Sequence, residues 1–139
     1  MTEILETVRI AEAADVLWRR IGGFGSVANW HPLVHSVESA GGLRVAVTKG
    51  GGPQVDRLIE DEPREHRYRY RMEVTSLPVR DYIGELCVEE AGPNASTVAW
   101  KARFEALDQD EADAAEMIRS FIRTGLDALA ERHGRAKRA

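Results

Sequence analysis

The chain has 139 residues and a mass of 15.5 kDa, room for one domain with a sufficient core and for little else. Charged residues reach 30% and hydrophobic ones 43%, well mixed, which excludes whole-chain disorder; no apolar run approaches the roughly 18 residues of a membrane span. A formal net charge of −4 and a pI near 5.6 argue against phosphate-backbone binding, so no nucleic-acid partner is expected. The N-terminal residues carry Glu3 and Glu6 rather than a basic segment ahead of an apolar one, so no secretory signal is read and a cytoplasmic protein is expected. Cys87, the lone cysteine, cannot form an internal disulfide or, alone, a thiolate metal site.

In chain order, residues 4–10 alternate, with Ile4, Val8 and Ile10 on one face and Thr7 and Arg9 on the other, which predicts a half-buried strand. Residues 13–21 switch to helical spacing through Ala14, Leu17 and Ile21. Glu12 and Asp15 come early and Arg19 and Arg20 late, as the helix dipole favours, and Gly22-Gly23 ends the element. From about 33 to 105 strands alternate with turns at 49–53, 62–65 and 92–94. One strand sets Tyr68, Tyr70, Met72 and Val74 against Arg67, Arg69 and Arg71. The next sets Tyr82, Gly84, Leu86 and Val88 against Asp81, Glu85 and Glu89, and the third sets Val98, Trp100, Ala102 and Phe104 against Thr97, Lys101 and Arg103. Such faces belong to an antiparallel sheet covered on one side.

From Asp110 to His133 an apolar stripe of Ala114, Ile118, Phe121, Ile122, Gly125, Ala128 and Leu129 recurs at 3–4 spacing, behind an acidic start that includes Asp108. A helix of about 24 residues spans roughly 36 Å, enough to cross a sheet. Arg132, Arg135, Lys137 and Arg138 read as the frayed basic end of a tail, residues 134–139, behind one domain of residues 1–133. The class is α+β. A sheet curled around one helix need not be solid: Gly125 leaves space, and Tyr70, Tyr82 and Trp100 on the concave face offer flat walls and hydroxyls. An apolar pocket with a few polar groups is expected, the alternative being that these aromatics fill the core.

Several segments carry a family resemblance: Asp15-Val16-Leu17-Trp18, Phe24, Trp30-His31-Pro32, Gly42-Leu43-Arg44, Asp56-Arg57-Leu58-Ile59-Glu60-Asp61, Tyr68-Arg69-Tyr70, Leu77-Pro78-Val79-Arg80-Asp81-Tyr82 and Val98-Ala99-Trp100. In order and spacing they resemble the SRPBCC superfamily, the START-like or polyketide cyclase/dehydrase and lipid transport proteins, over roughly residues 3–131. The resemblance implies a helix-grip fold: a seven-stranded curved antiparallel sheet around a long C-terminal helix, with two short helices after the first strand. It also implies a cavity for hydrophobic small molecules; with no second domain to carry one, no cofactor is expected. The nearest likeness in motif is to the branch of lachrymatory factor synthase and the abscisic acid receptors. In that synthase an Arg and a Glu carry the chemistry, helped by tyrosines, which by resemblance makes Arg44, Asp56, Tyr70 and Tyr82 the catalytic candidates. Asp56 is one methylene shorter than the synthase's Glu.

These four residue types make chemical sense together. A guanidinium stabilises a developing oxyanion, a carboxylate in an apolar pocket exchanges protons near neutrality, and tyrosines donate to a carbonyl. Proton abstraction beside a carbonyl, dehydration or cyclisation would suit them, the alternative being a structural ion pair between Arg44 and Asp56. Trp30, His31, Leu58, Met72, Trp100, Phe121 and Gly125 complete the expected ligand-binding set, with His31 placed near the pocket mouth. The expected partner is a hydrophobic small molecule, taken up by a catalyst or by a carrier, with no integral membrane association and a monomer or homodimer left open. Other signals are set aside. Gly23-Phe24-Gly25-Ser26-Val27-Ala28 has a dinucleotide-fingerprint spacing but follows a helix rather than a strand. His31 and His35 would sit about 13 Å apart along a strand, so no metal is expected. Glu85 and Glu89 beside Cys87 raise its pKa, and the arginine row 67, 69, 71 reads as a solvated face.

Overall fold

The computed structural model describes residues 1–107 and 111–136. Its elements are β1 (Thr2–Ile10), α1 (Ala14–Ile21), a 3-10 turn over Val27–Asn29, β2 (Val34–Ala40), β3 (Leu43–Thr48), β4 (Pro53–Glu62), a second 3-10 turn over Pro63–Glu65, β5 (Arg67–Val74), β6 (Val79–Gly92), β7 (Ala95–Ala106) and α2 (Glu111–His133). The seven strands form one antiparallel sheet in the order β1-β7-β6-β5-β4-β3-β2. This is the helix-grip α+β architecture. The second short helix expected after β1 is a single 3-10 turn, because Pro32 follows within three residues of Asn29 and biases His31 away from helix.

Local chemistry sets the turns and bends. Gly41 and Gly42 have φ of 61° and 79°, as a two-residue hairpin turn between β2 and β3 requires. In β6 the register against β7 shifts between Arg80 and Ile83, and Asp81 sits at φ 53°. This bulge places Arg80 and Asp81 both outward and returns Tyr82 to the inner face, where Gly84, Leu86 and Val88 follow at every second position. On the outer face, Arg67 and Arg69 are held by Glu60, Glu65 and Glu85, as a solvated arginine row should be. Cys87 also lies on that side of the strand pattern; burial first, then Glu89 and Glu85, pushes its thiol pKa up.

Helix α2 packs against β1 and β7 and buries Ala114, Ala115, Ile118, Ile122, Gly125, Leu126, Leu129 and Ala130. Phe121 and Ala128 from the expected stripe are only half-buried, because the buried face is centred nearer Leu126. Asp108 and Asp110 lie outside the described residues, as do Lys137 and Arg138. The first part of the expected frayed tail is tied down. The Ala11 N–H donates to Gly134 O (2.8 Å), the Ala136 N–H donates to Arg9 O (3.2 Å), and Arg135 bridges Ile10. Arg132 donates to Asn29 O at 2.9 Å. Among the described residues no helix is long and apolar enough to cross a membrane.

Candidate functional site: a cavity backed by a buried ion pair

Between the inner face of β4, β5 and β6 and the N-terminal half of α2 lies a cavity of about 370 Å³. Its walls are Leu33, Met72, Leu77, Tyr82, Ile118 and Phe121, with Gln54 as a polar side chain from β4 and Thr48–Gly51 at one edge. Of the eleven residues expected at the site, Met72, Tyr82 and Phe121 line this space. The other eight lie behind it or apart from it. Leu33, Gln54, Leu77 and Ile118 were not among the expected site residues; Gln54 could have been, as the inner-face neighbour two residues before Asp56.

Arg44 and Asp56 are direct cross-strand partners on β3 and β4, and each is only 3% exposed. The guanidinium approaches one carboxylate oxygen from the side: Nε donates to Asp56 Oδ2 at 3.0 Å, and Nη2 lies 2.9 Å from the same oxygen. Nη1 donates to Phe24 O at 2.9 Å and to the Tyr68 hydroxyl at 3.3 Å. The charge is also stacked between rings, 4.1 Å from the centre of Phe24 and 4.7 Å from that of Tyr70. Burial opposes the Arg44 charge, but Tyr68, Asp56 and Tyr70 outweigh it and keep the guanidinium protonated. Burial raises the Asp56 pKa, and Arg44 pulls it back only in part.

Phe24 and Tyr68, which hold Arg44, stand in the segments that carry the family resemblance but were not among the expected site residues. Tyr68 shares the inner face of β5 with Tyr70, as the alternation had it, and is as buried. Phe24 comes from the elbow whose glycines mimic a dinucleotide fingerprint. Here that elbow follows a helix in a purely antiparallel molecule and closes over the guanidinium.

The tyrosines form a chain leading inward from the cavity. Tyr82 lines it with its ring centre 6.4 Å from that of Tyr70, whose hydroxyl accepts from Trp100 Nε1 at 3.2 Å. Tyr70 fits because Gly84 faces it across the strands: a Cβ on Gly84 would stand 2.2 Å from the Tyr70 ring. Burial is the main cause that holds both phenols well above their ordinary pKa, so each is a protonated donor. Leu58, opposite Tyr70 in register, packs against the core beside them.

His31 is not at the mouth. It is 1% exposed, stacked on Phe121 at 4.1 Å, and its Nε2–H donates to Phe121 O at 2.8 Å while Nδ1 accepts the Leu33 N–H at 3.1 Å. Burial lowers its pKa to about 4, so the ring is neutral and both nitrogens are occupied. Gly125 does not open ligand space either. Its missing side chain leaves a notch for this imidazole, since a Cβ there would lie 2.4 Å from His31 Cδ2. Trp30, 5% exposed, packs edge-on against Trp100 at 5.6 Å in the same layer.

Comparison with known proteins places this arrangement. No curated protein matches the chain by sequence. Among solved structures, the chain is similar to XoxI from Bacillus cereus, with 25% identity, TM-score 0.93 and 96% of each chain covered. It is also similar to an uncharacterized protein of Bacillus thuringiensis, with 24% identity, TM-score 0.92, and 95% of this chain and 98% of that one covered. The Zhui aromatase/cyclase from a Streptomyces species shares the fold at 19% identity and TM-score 0.75, over 97% of this chain and 96% of its own. The family model for polyketide cyclase/dehydrase and lipid transport proteins matches residues 1–134, and the chain, with its gripped helix and cavity, belongs to that family.

Proposed function

We propose that the chain binds a small hydrophobic, carbonyl-bearing compound of the polyketide kind in the cavity and acts on it as a cyclase or dehydratase. The observation that carries this reading is the composition of the cavity wall. It is mostly apolar, and at its inner side the Tyr82 phenol is backed by Tyr70, Trp100 and a sealed Arg44–Asp56 pair. In such a site Tyr82 is the group that touches the ligand, donating a hydrogen bond to a carbonyl as negative charge builds on its oxygen. Arg44, 4.7 Å from the Tyr70 ring, is a positioning residue whose fixed positive charge favours that build-up from behind the phenols.

A second reading, a carrier of the same ligand class, is favoured by the sealing of the ion pair. Neither Arg44 nor Asp56 lines the cavity, so neither touches a ligand without a rearrangement. Tyr82→Phe separates the two. For a catalyst, turnover of a poly-β-ketone analogue falls by at least about tenfold while affinity for an environment-sensitive hydrophobic dye changes little. For a carrier, dye and ligand binding persist and neither protein converts the analogue. Failure of any apolar probe to bind in the micromolar range would overturn both.

A further inference from the structure

Asp56 accepts from Arg44 through one oxygen only. Both guanidinium contacts go to Oδ2, whereas a fork-to-fork pair would engage both oxygens. Oδ1 is completely buried, and no hydrogen-bond donor among the described residues reaches it. Arg44 Nη1 is directed to Phe24 and Tyr68 and Trp100 Nε1 to Tyr70, and none of the hydroxyls of Tyr68, Tyr70 and Tyr82 makes a hydrogen bond to Oδ1. Buried carboxylate oxygens in native proteins are almost always partnered, so this one calls for a donor from outside the chain.

Its position says where that donor would come from. Asp56 projects from the inner face of β4, two residues beyond Gln54, and its register partner on β5 is Met72. Gln54 and Met72 both line the cavity, as does Tyr82, so the Asp56 carboxylate stands among the neighbours of the cavity wall. Met72 is an unbranched thioether, the apolar side chain that most readily yields to a ligand. We propose that the ligand carries a hydroxyl, as an alcohol, phenol or enol, and that Asp56 Oδ1 accepts its hydrogen bond, which makes Asp56 a specificity-determining residue of this cavity. The inference rests on the cavity being a ligand site and narrows the ligand class. A carbonyl alone would meet Tyr82 but leave Oδ1 without a partner, whereas a hydroxy-carbonyl compound satisfies both.

The test uses the full chain and three probes of one ring system: 2-naphthol, 2-methoxynaphthalene and 2-acetylnaphthalene, with affinities measured by titration calorimetry. The wild type is expected to prefer 2-naphthol over 2-methoxynaphthalene by at least about tenfold, because removal of the one matching donor leaves a buried acceptor unpaired. In Asp56→Asn, Arg44 holds the amide oxygen and the NH₂ takes the place of Oδ1. The preference should then invert in favour of the acceptor probes, which a merely structural role for Asp56 would not produce. Should Asp56→Asn not fold, the ¹³C resonance of the Asp56 carboxyl in the wild type serves instead: 2-naphthol should shift it and 2-methoxynaphthalene should not. Equal affinity for all three probes, or a carboxyl resonance indifferent to the naphthol, would overturn the proposal while leaving the cavity reading intact; this is also the outcome if a permanently bound water serves Oδ1. No binding of any probe would overturn both.

Discussion

His31 illustrates how completely packing can decide what a residue does. Its sequence position beside Trp30 and Pro32 suggests a polar contact for a ligand, yet its two nitrogens join the loop after the first 3-10 turn to the backbone of α2. The consequence is a pH dependence of stability. Because the folded pKa is near 4 against an ordinary 6.5, the contribution of His31 is intact above 6.5 and is lost as pH falls through 4, by roughly 3 kcal/mol in all. Asp56 works in the opposite sense, since its raised pKa makes its contribution largest below 3.8 and smaller as pH rises. Denaturant melts at pH 7 and pH 4.5 should therefore show a loss in the wild type that His31→Gln largely removes. At the facing position, Gly125→Ala should cost about 2 kcal/mol at pH 7, because the ring it strikes is held by a stack and two hydrogen bonds and cannot give way. His31→Ala in the same chain should recover part of that loss.

At the scale of elements, β3 and β4 bring the ion pair together by simple register, Arg44 opposite Asp56. A sealed pair of this kind is held against a desolvation penalty. Arg44→Met or Asp56→Leu alone should therefore destabilise by about 3–5 kcal/mol, while the double replacement should lie near the wild type or above it; urea unfolding of the three variants decides the matter. If the double variant folds well and still binds the hydrophobic dye, the pair exists for function rather than for the sheet. Strand alternation made much of this legible beforehand, because residues such as Tyr70, Tyr82 and Trp100 keep to one face whatever the curvature. What alternation cannot convey is depth. Tyr70 and Tyr82 look alike on paper, but only Tyr82 lines the cavity, since the bulge at Asp81 and the missing side chain at Gly84 set how far each phenol reaches. Phe24 was hidden for a different reason: it bonds Arg44 through its backbone carbonyl, which no residue type advertises.

For the molecule as a whole, the end of the chain folds back along one edge of the sheet. The β1 edge is occupied along its second half: Arg123 Nη1 donates to Thr7 O, Ala136 N–H donates to Arg9 O, and Gly134 O accepts from Ala11. Removal of residues 134–139 should uncover two of these groups and cost about 1–2 kcal/mol, read as a lower denaturation midpoint with the cavity dye still bound. The shortened chain should also self-associate at a lower concentration than the intact one in size-exclusion chromatography.

The notch at Gly125 has a bearing on how such a molecule can change. An imidazole seated in a glycine gap fixes α2 in both rotation and axial position, much as a key fixes a shaft. Met117, Ile118 and Phe121 lie on the N-terminal side of that lock and face the cavity, whereas Leu126 and Leu129 lie beyond it in solid core. Substitutions on the first side can therefore remodel the cavity while the lock keeps the rest of the helix in register, so that new ligand preferences can arise over an unchanged foundation.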